Sequence, residues 1–435
     1  MNLKFKILQI AHSFTYYGPA MSSSQTPRLH IDWIDRDATD IVRVLQRKGH
    51  TAYLVGGCVR DLLLGKQPKD YDIVTTAKPN EVKKAVRNSY IIGKRFRLVL
   101  AKRGEDLFEI ATFRKDPEKS TEEDPEVEGD NLFGTPEDDA TRRDFTINAL
   151  FYDPINEDLI DFAGGIDDLN AGMIRVIGDP VTRFKEDSIR ILRAIRLAHM
   201  IRFQMDAGLK KGIAEVAEEL VDSALPRRRE EFLKFLRLDD PSMAFLTCED
   251  LNVLKYVVPS LAEPTQAFYN DMREFHSPRL MTTPLELFSL MVINFLKSQL
   301  DLDLEDESLS KYKVMEDERV VPLMRDELGM FKSEQMTLER AIKLLPTLRK
   351  RKEIERKGEK RRWALFRMEA FPLALKLAEK EFLITAEDLN YWKTEYENRP
   401  AELIEASKGR RRKRKRPPRK RKPQSSKEPD GNEQS

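Results

Sequence analysis

Tyr53-Leu-Val-Gly-Gly-Cys-Val-Arg-Asp-Leu-Leu-Leu-Gly65, followed within a few residues by Asp70-Tyr71-Asp72, decides how the rest of this 435-residue chain is read. Tyr53 to Val55 predict a short buried strand, Gly56 and Gly57 a turn open to a ligand, and Val59 to Leu64 the start of a helix. That layout suits a phosphate: a helix N-terminus points free N–H groups at an anion, two glycines remove obstructing side chains, and Arg60 adds a fork of donors. Asp70 and Asp72 alternate on a strand, so both carboxylates face one way while Tyr71 and Ile73 turn to the core. Two carboxylates on one face make a site for Mg²⁺. A Gly-Gly turn, or an Asp-x-Asp in a chain with 74 acidic residues, is common by itself. Together, at a separation that a short strand-helix-strand can close, they meet the needs of metal-assisted attack on a nucleoside triphosphate.

The combination resembles the nucleotidyltransferase superfamily, and in particular the class II group that holds bacterial poly(A) polymerases and the tRNA CCA-adding enzymes. The resemblance implies that Asp70 and Asp72 hold two Mg²⁺ ions. One would activate an RNA 3′-hydroxyl for in-line attack on the α-phosphate of ATP, and the other would stabilise the departing pyrophosphate. Gly56, Gly57 and Arg60 would position the triphosphate.

Further strings carry the same resemblance. Glu109 interrupts an otherwise apolar strand, where a carboxylate must be exposed, paired or metal-facing. Glu109-Ile-Ala-Thr-Phe-Arg114 is similar to the family stretch whose Glu joins the two Asp as a third catalytic carboxylate. Arg142-Arg143-Asp144-Phe-Thr-Ile-Asn148, ahead of an apolar strand, resembles the second family signature. By that likeness Arg142 and Arg143 bind triphosphate, and Asp144 either contacts the ribose or serves as a further active-site carboxylate. Glu186-Asp187-Ser-Ile-Arg190-Ile-Leu-Arg193 resembles the base-reading motif, on a helix expected from about Val181 to Met200 with Ile191, Ile195 and Ala198 on one side. Asp187 and Arg190 stand three apart, hence side by side on that helix. A carboxylate accepting from an exocyclic amine, with a guanidinium donating to the neighbouring ring nitrogen, suits adenine and cytosine and excludes guanine and uracil.

Outward from these motifs the chain is regular. Ile41, Val42, Val44 and Leu45 repeat at helical spacing and lead into the nucleotide strand. A turn at 75–79 and a helix from Asn80 to Arg87 follow, then strands at 91–100 and 107–112, which give a small mixed sheet. Residues 115–136, rich in Asp, Glu, Lys and Pro, are expected to form a mobile loop over the site. Another strand is expected at 172–178. From about Asp206 to Glu405 helix follows helix, including runs at 226–236, 285–296, 337–345 and 361–382, with an acidic loop or weak helix at 301–318. A basic cluster at 349–362 is either a solvated face or an RNA-guiding surface.

Length allows two or three domains. Two cysteines, Cys58 and Cys248, give neither a disulfide framework nor a zinc spacing, which suits a reducing cytoplasm. No stretch approaches the roughly 18 apolar residues of a membrane span. Residues 410–422 carry 11 basic side chains, including Arg410, Arg411, Arg412, Arg414, Arg416, Arg419 and Arg421, which leaves 65 basic against 74 acidic residues elsewhere. Such a block is expected to be disordered and to seek a polyanion, RNA above all.

The expected architecture is α+β: a disordered extension (1–30), a small mixed-sheet nucleotidyltransferase head (31–170), a helical neck with the base-reading motif (171–240), a helical RNA-binding body (241–405) and a disordered Arg/Lys-rich tail (406–435). Within the family, Ile91-Ile-Gly-Lys-Arg-Phe-Arg-Leu98 and the basic tail resemble the bacterial poly(A) polymerases, although Ala101 departs from the branched residue usual there. The resemblance implies adenylate addition to RNA 3′ ends in RNA processing and decay, without a membrane and alongside RNA-decay proteins, with CCA addition to tRNA as the alternative.

Overall fold

The structure, a computed structural model, describes residue 29 and residues 31–93, 97–115, 132–276 and 279–400. Nearly all of the N-terminal extension, most of the acidic loop at 115–136 and the basic tail lie outside the described residues. The chain divides into two compact units, residues 1–302 with 316–332, and residues 303–315 with 333–435.

The first unit begins with α1 (Arg36–Arg47), capped by Asp35, whose carboxylate accepts from the Ala38 N–H at 3.0 Å. Ala38, Ile41, Val42 and Leu45 share its buried face, so the helix is held by packing on the sheet as well as by its cap. β1 (Ala52–Val55) then runs straight into α2 (Gly57–Leu63) through Gly56, whose φ of +79° a side chain would strain. β2 (Asp72–Thr75), α3 (Pro79–Ala85), β3 (Ser89–Ile92), β4 (Leu98–Arg103) and β5 (Asp106–Thr112) follow. After them come α4 (Pro136–Thr141), β6 (Leu150–Asp153) and β7 (Asp158–Asp161). The seven strands form one sheet in the order β3-β4-β5-β2-β1-β6-β7. β2 and β5 are parallel and the other pairs antiparallel, so the sheet is mixed as expected. The expected single strand at 91–100 is two: Gly93, at φ +85°, starts a reversal, and β4 returns antiparallel to β3.

Val55, Val74, Phe113, Ala140, Ala149 and Phe151 close the core on one face of the sheet. The Tyr53, Phe113 and Phe151 rings lie 6.2–6.3 Å apart in tilted and edge-on pairs. Burying one such ring stabilises the fold by about 2–3 kcal/mol, and this cluster fixes the strand ends that carry the polar residues described below.

Next come α5 (Gly165–Ala171) and β8 (Met173–Ile174), to which the expected strand at 172–178 shrinks, with one further bridge between Val176 and Phe145. α6 (Pro180–Glu186) and α7 (Ile189–Ile201) replace the single helix expected from Val181 to Met200. Asp187 between them is extended, at φ −154° and ψ 93°. Side chains hold the break: the Arg190 guanidinium donates to the Arg183 carbonyl at 2.7 Å, and Arg227 grips the Asp187 carboxylate with both arms. Ile191, Ile195 and Ala198 are buried on α7 as expected. β9 (Gln204–Met205) pairs parallel with β8. α8 (Ala207–Val216), α9 (Leu225–Phe235), α10 (Pro241–Asp250), α11 (Leu254–Val257), α12 (Gln266–Arg273) and α13 (Pro284–Leu300) continue the unit. Contacting rings of Phe232, Phe235, Phe245 and Phe268 tie three of these helices together.

The second unit holds α14 (Lys332–Arg349), α15 (Arg351–Arg356), α16 (Glu359–Phe366), α17 (Phe371–Lys380) and α18 (Ala386–Glu397). The helix expected over 361–382 is interrupted after Phe366. Pro372 has no N–H to continue the ladder and instead opens α17. Phe366, Phe371, Trp392 and Tyr396 pack together, and the Trp392 indole donates to the Leu348 carbonyl at 2.9 Å. Part of the basic cluster at 349–362 is met by acids: Lys350 pairs with Glu307, Arg351 with Glu387 and Asp388, and Arg362 with Glu395. No helix among the described residues is long and apolar enough to cross a membrane.

Candidate active site

Strand register assembles the site. Val55, the last residue of β1, pairs with Asp72, the first of β2, and also with Phe151 near the start of β6. Asp72 pairs on its other side with Glu109 of β5. The Gly56–Gly57 turn, the Asp-x-Asp and the Glu of the third string therefore meet at one region of the sheet. Asp70 lies in the segment just ahead of β2 and not on the strand itself, yet the alternation holds: Asp70, Asp72 and Glu109 are exposed, while Tyr71 and Ile73 are buried. Glu109 is thus both an exposed position and a neighbour of Asp72.

Although part of its surface is accessible, the Asp72 carboxyl is pushed above its ordinary value, first by loss of surrounding water and then by Glu109; Arg143 pulls it back and Asp70 adds to the rise. A carboxylate raised by like neighbours gains from a cation. Among the described residues no set of three acidic, histidine or cysteine groups is gathered closely enough to hold a metal alone. Mg²⁺ commonly takes only one or two carboxylates and fills its shell with substrate phosphates and water. The oxygen donors of Asp70 and Asp72 fit that ion. Cys58 fills space: its buried thiol donates to the Val55 carbonyl at 3.3 Å and is pushed up to about 12 by burial.

On the side expected to meet a triphosphate, Gly57 starts α2, and Arg60 is buried with Nη1 donating to Asn148 Oδ1 at 2.6 Å and Nη2 to Asp61 at 2.7 Å. Arg60 therefore braces the turn against the Asn148 end of the second signature. Arg142 and Arg143 follow α4, and both bond to Asp139, at 3.0 and 2.8 Å. A Cβ on Gly56 would lie 3.4 Å from Arg143 Nη1. Arg183 reaches from α6 to donate to the carbonyls of Arg142 and Arg143 at 2.7 and 3.0 Å. Asp144 pairs with Arg193 of α7 at 2.5 Å and accepts from its neighbour's N–H, Phe145, at 2.9 Å.

The pair expected to read the base is placed differently from its expected arrangement. Asp187 and Arg190 are not side by side on one helix, because Asp187 lies in the break between α6 and α7. Arg190 donates to Glu186 at 2.8 Å, and Asp187 receives both arms of Arg227 from α9, at 2.8 and 2.7 Å. Asp139, Arg183 and Arg227 had no role assigned from sequence, and Glu186 entered only as the first residue of the base-reading string. The Pro226-Arg-Arg-Arg-Glu-Glu run was visible as a helix start, but nothing local ties it to Asp187.

A mixed sheet that presents a glycine turn, neighbouring carboxylates and paired arginines at one place is the head of a nucleotidyltransferase. Residues 52–175 match the family model of the poly A polymerase head domain, and residues 202–263 match the model described as "Probable RNA and SrmB- binding site of polymerase A". Over these two stretches the chain is similar to the poly(A) polymerase and tRNA nucleotidyltransferase family. It is 38% identical over 258 residues to poly(A) polymerase I of Haemophilus influenzae, covering 58% of this chain and 56% of that protein. It is 34% identical over 275 residues to the CCA-adding enzyme of Lactobacillus helveticus, covering 63% and 65%. The chain spans about half the length of the curated relatives it matches. The solved structure of the Bacillus stearothermophilus CCA-adding enzyme in complex with CTP superposes with a TM-score of 0.60 at 22% identity, covering 86% of this chain and 84% of that one, a likeness of fold.

Proposed function

We propose that this chain adds AMP from ATP to RNA 3′ ends without a template. The observation that carries the chemistry is the register of Asp72 between Val55, which leads into the Gly56–Gly57 turn, and Glu109. In this reading Asp70 and Asp72 would hold Mg²⁺, which would supply Lewis-acid stabilisation of the charge that develops in the transfer. Glu109 keeps the pocket negative beside them. Gly56 and Gly57 leave room for a phosphate, braced by Arg60, while Arg142 and Arg143 receive the negative charge of the triphosphate. Asp144, paired with Arg193, stands at the ribose or among the carboxylates, and Asp187 with Arg190 faces the base. The head (31–170), neck (171–240) and body (241–405) divide the labour between chemistry, base selection and RNA holding, with the basic tail (406–435) as a sequence-blind anchor.

The preference for adenine alone rests on likeness: the relatives called poly(A) polymerase I share 38–41% identity with this chain, against 32–34% for the CCA-adding enzymes. The 34% identity to a CCA-adding enzyme supports the second reading, addition of CCA to tRNA. An RNA-decay setting in the cytoplasm accords with the first.

Primer extension decides between them. Purified protein and Mg²⁺ are given each nucleotide singly and in pairs, on an unstructured RNA and on a tRNA lacking its terminal CCA. A long ladder with ATP alone on the unstructured RNA is the expected result. Addition that needs CTP and ATP, stops after three residues and prefers the tRNA overturns it.

A further inference from the structure

We infer that Asp139 is the positioning residue for the triphosphate arginines, an assignment that rests on the transferase reading above. Asp139 lies in α4 and is 2% exposed. Its Oδ1 accepts from Arg142 Nε at 3.0 Å and from the Arg114 backbone N–H at 3.2 Å. Its Oδ2 accepts from Arg143 Nε at 3.1 Å and Nη2 at 2.8 Å. A buried carboxylate is tolerated only when paired and hydrogen-bonded, and here two guanidinium groups and an amide satisfy it.

The direction of these bonds carries the inference. Asp139 takes the inner edge of each arginine. Both Nη groups of Arg142, and Nη1 of Arg143, then have no hydrogen-bond acceptor among the described residues. Arg143 Nη1 lies beside Gly56, close enough that a Cβ there would stand 3.4 Å away. The held arginine thus reaches to the turn that leaves room for a phosphate. Arg183 fixes the backbone of the same pair through the Arg142 and Arg143 carbonyls. One buried anion therefore aligns the side chains while one buried cation aligns the main chain. Without Asp139 the guanidinium groups of Arg114, Arg142 and Arg143 repel one another and fan apart. Asp139 itself has no free edge to offer the nucleotide.

The test uses the full chain. Asp139→Asn keeps the shape and removes the charge. The KM for ATP is expected to rise by about tenfold while kcat moves by less than about threefold. In calorimetry without added metal, affinity for inorganic tripolyphosphate is expected to fall about tenfold, with adenosine affinity unchanged. Asp139→Glu, which keeps the charge and displaces it by a methylene, is expected to lose about threefold for tripolyphosphate and gives the same discrimination if the neutral variant does not fold. Unchanged tripolyphosphate affinity overturns the assignment. So do equal losses for tripolyphosphate and adenosine with a lowered Tm, which mark a purely structural prop. A wild-type chain that binds tripolyphosphate through Asp139 but incorporates no nucleotide supports Asp139 and sinks the transferase reading.

Discussion

Asp72 is held where its own charge is disfavoured, by loss of surrounding water and by Glu109 and Asp70 beside it. An acid with a raised folded pKa binds its proton more tightly in the folded chain than in the unfolded one. Its contribution to stability is fully present below its unfolded value, ordinarily about 3.8, and is lost as pH rises through the folded value. At neutral pH the ionised group is a net cost that a cation would relieve. Asp72→Asn is therefore expected to raise the Tm of metal-free protein at pH 7, with the gain shrinking toward acid pH, while nucleotide incorporation falls roughly 1,000-fold. Mg²⁺ should raise the Tm of the wild type and leave that of the variant unmoved. Thermal scans with and without Mg²⁺ check this, and a lower metal-free Tm for the variant at pH 7 would sink it. The candidate residues that the structure brings together belong to short strings: Gly56 and Gly57 on a turn, Asp70 and Asp72 in alternation, Glu109 breaking an apolar run. Asp139 stayed hidden although it stands three residues before Arg142, because an acid in an acidic stretch has no local mark of burial.

At the scale of elements, the α6–α7 break is the feature that sequence periodicity missed. Apolar residues continue at helical spacing across it, with Phe184 buried on one side and Ile189 and Ile191 on the other, and no glycine or proline marks the stop. What holds it is tertiary: a guanidinium donating to the Arg183 carbonyl, and Arg227, 40 residues away, holding Asp187. By contrast, the break before α17 could have been read from Pro372. Arg227→Ala is expected to free Asp187 and relax base choice, lowering the ratio of ATP to CTP incorporation by about tenfold while the chain stays folded. Single-nucleotide extension assays would show it, and an unchanged ratio would assign Arg227 to stability alone. A second junction admits no side chain at all. A Cβ on Gly165, at the start of α5, would lie 2.3 Å from the Thr146 carbonyl oxygen of the second signature. Gly165→Ala must push that loop away, at a cost of about 1–3 kcal/mol, and the Tm should drop by several degrees. A wild-type Tm would show that α5 shifts freely.

Over the whole chain, charge is divided. Outside residues 410–422 acids outnumber bases, 74 against 65, while that stretch holds 11 basic side chains and no acid. Within the body's own basic cluster, Lys350, Arg351 and Arg362 are already answered by Glu307, Glu387, Asp388 and Glu395. A body of that sign repels a polyanion at long range, so in the proposed role the task of retaining RNA falls to the tail, whatever its sequence of bases. Each phosphate neutralised on a single strand adds roughly 0.7 to the steepness with which log affinity falls against log salt. If about half of the tail's basic residues engage phosphates, ending the chain at Glu405 should flatten that slope by about 4 and weaken binding most at low salt. The KM for ATP on a short primer should stay the same, because Gly56, Arg142, Arg143 and Asp139 are untouched. Filter binding of an unstructured RNA across a salt series measures the slope. An unchanged slope would move the RNA-holding role to the folded body, and a raised KM for ATP would tie the tail to the site itself.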